Sequence, residues 1–112
     1  MYEEVMNDDE FDKIRQIYLS SLPEKFNAIQ ESLEKLHQSV DLQTMNDLRF
    51  IVHKMAGMAG VYGYTTVSEI CRGWDQNLSK MIASFPTCQK DLGWLKDSDL
   101  NFAKIKREFS RG

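Results

Sequence analysis

The chain has few side chains suited to covalent chemistry: two histidines and two cysteines among 112 residues. A neutral imidazole is a good nucleophile near pH 7, because its unperturbed pKa is about 6.5. It can attack a phosphorus atom and hold the phosphoryl group as a phosphoramidate. His53 lies in the run Val52-His53-Lys54-Met55-Ala56-Gly57-Met58-Ala59-Gly60-Val61-Tyr62-Gly63, which reads as a helix ending in a turn. On a wheel of about 100° per residue, Leu48, Ile51, Met55, Met58 and Tyr62 share one side, flanked by Val52 and Ala59. His53 lies nearly opposite, grouped with Asn46, Arg49, Phe50, Ala56, Gly57 and Gly60. The imidazole is therefore predicted to point away from the core. A glycine inside a helix costs roughly 1 kcal/mol relative to alanine. Gly57 and Gly60 beside the histidine imply close approach by a partner that brings a reactive atom to the ring.

Other chemistries have weaker support. Glu34-Lys35-Leu36-His37 has the Glu-x-x-His spacing of di-iron bundles, but Phe50 stands three residues before His53, so the second pair is missing. No metal site is expected. Cys71 and Cys88 form no Cys-x-x-Cys pair and have no histidine at zinc spacing. Met45, Met55, Met58 and Met81 read as gap-filling core, and Trp74 and Trp94 as packing residues. There is no Gly-x-x-x-x-Gly-Lys-Ser/Thr loop and no kinase-like glycine loop. The chain should not phosphorylate itself from ATP, and no cofactor of its own is expected. A phosphoryl group on His53 would therefore have to come from a partner, along with Mg²⁺.

His53, a hydrophobic residue two on (Met55), Gly57 four on, the small Ala59 six on and Tyr62-Gly63 at nine and ten on resemble the signature of histidine-containing phosphotransfer (HPt) domains. The resemblance spans nearly the whole chain, including the apolar helix before the motif and the helix over 67–78 after it. It implies that His53 is phosphorylated and that Gly57 leaves room for the phosphoryl group. Many family members carry Lys three residues after the histidine, where this chain has Ala56. Lys54 and Arg49 are then the candidates for balancing the phosphoryl charge. Asn46, Phe50, Ala56 and Gly60 would form the docking surface for a partner. Asp75 matches a Glu or Gln often found on the family's next helix and joins that surface, although a solvated carboxylate is its plainer reading.

The elements that must position this motif are all helical. Residues 1–7 read as frayed. From Phe11 the apolar steps are threes and fours: Phe11, Ile14, Tyr18, Leu22, Phe26, Ile29, Leu33, Leu36, Val40. Pro23 lies inside the run, so the long helix is either kinked there or broken into two, with Pro23 opening the second. Asp41 or Thr44 caps the helix that carries His53, and Gly63 stops it. Thr66-Val67-Ser68-Glu69 reads as a capping box for the next helix, which Phe85-Pro86 ends. The last helix starts near Thr87 or only at Ser98, because Gly93 and Asp97-Ser98-Asp99 interrupt its pattern. No segment alternates as a strand would. The fold class is all-α, an antiparallel four-helix bundle forming a single domain over 1–112.

Composition is consistent with that reading. The net charge of −3 implies no general nucleic-acid attraction. Acids crowd the start and bases the end, as helix dipoles favour. No apolar stretch approaches the roughly 20 residues of a membrane span, and no signal peptide is visible. The expectation is a free-standing, monomeric cytoplasmic phosphocarrier with reduced thiols, not itself an enzyme. By the resemblance, its partners are response-regulator receiver domains and a hybrid sensor histidine kinase. The alternative is a helical module that docks such a partner without being phosphorylated; a plain dimerisation domain is a weaker third reading.

Overall fold

The fold was read from a computed structural model that describes residues 8–111. The expectation of fraying over residues 1–7 lies outside the described residues. Four helices follow one another: α1 (Asp8–Gln38), α2 (Leu42–Val61), α3 (Thr65–Ala83) and α4 (Gly93–Ser110). Each packs on the next, and α4 returns to α1. The pairings run antiparallel. Tyr18 of α1 meets Phe109 of α4 while His37 meets Asp99; Ser68 of α3 meets Ala56 of α2 while Asp75 meets His53. One core is shared by all four helices, with Ile29, Leu48, Val52, Trp74 and Ile105 fully enclosed.

α1 passes through Pro23 without a break. Proline removes the donor that the Leu19 carbonyl would otherwise receive. Pro23 is exposed, while Tyr18, Leu22 and Ile29 on the inner side are buried. Packing of that apolar stripe carries the helix across the defect.

α2 is defined at both ends. Asp41 is the N-cap: its carboxylate accepts from the Thr44 N–H and from the Thr44 hydroxyl, each at 2.8 Å. At the other end Gly63 takes φ +86°. Its N–H donates to the Gly60 carbonyl at 3.2 Å, and the Tyr64 N–H donates to the Ala59 carbonyl at 2.8 Å. This is the Schellman arrangement, and only glycine takes that left-handed position without strain.

Two expected boundaries are corrected. The capping box at Thr66 does not form: α3 already starts at Thr65, with Tyr64 as N-cap and no side-chain cap. The Schellman turn delivers the chain directly into helix, so the Tyr64 carbonyl already accepts from the Ser68 N–H at 2.9 Å. α4 begins between the two alternatives, after a short 3₁₀ turn at Thr87–Gln89. Ser98, which looked like a polar interruption, is buried and accepts from the Trp74 indole N–H at 2.8 Å.

The buried face of α2 is also turned relative to the wheel. Met45, Leu48, Val52, Met55, Ala56 and Ala59 are buried, whereas Met58 is exposed and Ile51 and Tyr62 are partly buried. α2 packs against α3 as well as α1, and this draws its inner face toward α3.

Candidate functional site

His53 sits in the middle of α2, on the seam with α3, with its side chain 65% exposed. Its Nδ1 lies 2.8 Å from Oδ2 of Asp75, whose side chain is only 16% exposed. An ionised carboxylate only accepts, so the bond places the ring proton on Nδ1. The lone pair of the neutral ring is then on Nε2, the nitrogen farther from the backbone. The other oxygen of Asp75 is held by Arg49, whose Nε donates to Oδ1 at 3.0 Å. One carboxylate thus joins the histidine to an arginine one turn earlier on the same helix. The triad orients the imidazole and can offset positive charge that develops on it.

The small residues around His53 have separate jobs. A Cβ built on Gly57 would meet nothing within 4 Å, so this is open space beside the ring. A Cβ on Gly60 would come within 3.3 Å of the Ser68 hydroxyl. Ala56 is only 6% exposed, and its carbonyl accepts from Ser68 Oγ at 2.8 Å. Ala56 is therefore corrected from the docking face to the helix seam, where a small side chain admits α3. Gly60 has the same explanation from within the bundle.

The cations are distributed differently from expectation. Lys54 does not lie beside the imidazole; its ammonium lies over the Phe50 ring, 5.0 Å from the centroid. Both line a groove of about 250 Å³ between α1 and α2, with Glu24, Lys25, Ala28 and Ile51. Phe50 is 63% exposed there, a large apolar surface next to the histidine. Asn46 is exposed and donates to its own helix at the Leu42 carbonyl. Arg49 reaches the site only through Asp75. Asp75 itself proves to be the orienting partner of His53 rather than a solvated carboxylate.

His37 is tied to Asp99 and lies away from this site. Among the described residues no group of three potential metal ligands occurs. Cys71 and Cys88 are free and buried; burial, with the Asp75 charge adding to it, pushes the Cys71 thiol up to about 12. No helix among the described residues is long and apolar enough to cross a membrane.

No curated protein and no solved structure matches the chain. A family model described as Hpt domain matches residues 13–105, which takes in the His53–Asp75–Arg49 triad and all but the ends of the bundle. On that match the chain belongs to the Hpt domain family, whose members are phosphocarriers for histidine phosphotransfer in two-component systems.

Proposed function

We propose that His53 accepts a phosphoryl group from the aspartate of a receiver domain and passes it to a second receiver, as one step of a multistep phosphorelay. The observation that carries this is the 2.8 Å bond from Nδ1 to Asp75, which leaves Nε2 unprotonated on an exposed ring. In the forward step Nε2 forms a bond to phosphorus while the P–O bond to the receiver's carboxylate breaks. The carboxylate leaves with the bond's electrons. The ring keeps its Nδ1 proton and gains positive charge, which Asp75 offsets across the hydrogen bond. Reversal onto another aspartate restores the neutral imidazole. Such transfer needs alignment and charge neutralisation more than covalent machinery.

The receiver supplies the aspartate and its Mg²⁺. The open space at Gly57 admits the phosphoryl group between the two proteins. Phe50 and the adjoining groove suit the apolar part of a receiver interface, and the exposed Asn46 stands one turn before Phe50 on α2. A hybrid sensor histidine kinase fits as the upstream source, and a monomer in the cytoplasm is the form that would shuttle between receivers.

Incubation with a phosphorylated receiver should give an acid-labile, alkali-stable label on the wild-type protein and none on His53→Gln. A His53→Gln variant that still takes up label would refute the assignment. Full regulatory effect from that unlabelled variant would favour docking without phosphorylation.

A further inference from the structure

We infer that Arg72, on α3, is the cation that binds the phosphoryl group on His53, in place of the lysine that this chain lacks at Ala56. The inference rests on the phosphotransfer reading above and adds a residue to it.

The placement follows from the seam between α2 and α3. Ser68 reaches the Ala56 carbonyl, and Asp75 reaches His53 and Arg49. Arg72 stands four residues after Ser68 and three before Asp75 on the same helix. Residues three and four apart share a helix face, so Arg72 lies on the flank of α3 that borders α2. The helices run antiparallel, so its level falls between those two contacts, beside His53 and Gly57. The α2 side of that level is open, because nothing lies within 4 Å of a Cβ built on Gly57. A long arginine side chain can extend over that gap.

The competing cations are committed. Arg49 holds Oδ1 of Asp75 at 3.0 Å, and Lys54 lies over Phe50 in the groove on the other flank of α2. Arg72 is exposed and makes no hydrogen bond or ion pair among the described residues. Two acids stand one turn away on the same face: Asp75, whose oxygens are held by His53 and Arg49, and Glu69, which is exposed. A guanidinium stays charged at any working pH and presents a planar fork of donors that matches phosphoryl oxygens. Arg72 therefore supplies what the site otherwise lacks, a charge aimed at the phosphoryl oxygens rather than at the ring.

Phosphoramidate, a small phosphoryl donor, tests this without any receiver. Wild type, Arg72→Ala, Arg72→Lys and Lys104→Ala would each be loaded with it, following label on His53 and the guanidinium Nε resonances by NMR. Arg72→Ala should take up label on the order of tenfold more slowly, with melting unchanged. Arg72→Lys should recover part of the rate, and Lys104→Ala, an exposed lysine on α4, should match wild type. The Arg72 Nε–H resonance should shift when wild type is phosphorylated. Equal uptake by wild type and Arg72→Ala, with an unmoved Arg72 resonance, would overturn the inference while leaving the phosphotransfer reading in place. A wild type that takes no label from either phosphoramidate or a phosphorylated receiver would overturn both.

Discussion

The molecule carries two surface histidines, each bonded to an aspartate on a neighbouring helix at nearly the same distance, 2.8 Å for His53 and 2.7 Å for His37. Their chemistry is nonetheless opposite, and the difference lies in which nitrogen is used. His53 gives Nδ1 to Asp75 and turns Nε2 outward. His37 gives Nε2 to Asp99, so the nitrogen farther from the backbone is occupied. The partners differ as well. Asp75 is nearly enclosed and held on its second oxygen by Arg49, whereas Asp99 is 43% exposed. The first pair leaves an outer nitrogen free on an exposed ring. The second ties the end of α1 to the first turns of α4.

The largest contrast should come from removing each ring. His53→Gln should lose all transferable label, and His37→Gln should keep wild-type labelling in the same receiver assay. Next come the aspartates. Asp75→Ala should slow transfer on the order of 10-fold to 100-fold, by analogy with removing the partner that fixes the tautomer of a metal-bound histidine. Asp99→Ala should leave the transfer rate unchanged.

Stability separates the regions further. Gly57→Ala should stabilise the fold by up to about 1 kcal/mol, since helix propensity rises and the new methyl meets nothing; chemical denaturation measures this. Gly60→Ala should gain less, because its methyl would press on Ser68. Loss of the exposed His37–Asp99 pair should cost at most about 1 kcal/mol.

A last distinction concerns pH. Burial raises Tyr18 from 10.0 and Cys71 from 9.0, each to about 12. The unfolded chain therefore releases these protons first. Their contribution to stability is complete below pH 9.0 and declines as pH rises toward 12. Denaturant midpoints measured across that range should fall, and less steeply in Cys71→Ala relative to its own value at neutral pH. Cys71 should also resist alkylation in the native state at pH 8 and react after unfolding.

Much of this was legible in the residues. Apolar steps of three and four run through the first three helices, Gly63 marks the end of α2 and Asp41 its start, and His53 projects outward as the wheel required. What was hidden depends on register between helices. Asp75 lies 22 residues from His53 in the chain, and nothing local reveals that it meets the ring. Ala56 and Gly60 share the histidine's side of the wheel, yet the close approach of α3 makes them seam residues. Ser98 looks polar until the Trp74 indole is known to need an acceptor. Arg72 is hidden for the same reason, since its place beside His53 depends on the helix it borders.

On the proposed reading, Asp75 directs chemistry to the outer nitrogen of one particular histidine. After transfer from a phosphorylated receiver, nitrogen-15 and phosphorus-31 NMR of the wild-type protein would read the site atom by atom. Phosphorus coupled to Nε2 of His53, with the Nδ1 proton retained and His37 unmodified, is the predicted outcome. Phosphorus on Nδ1, or on His37, would contradict it.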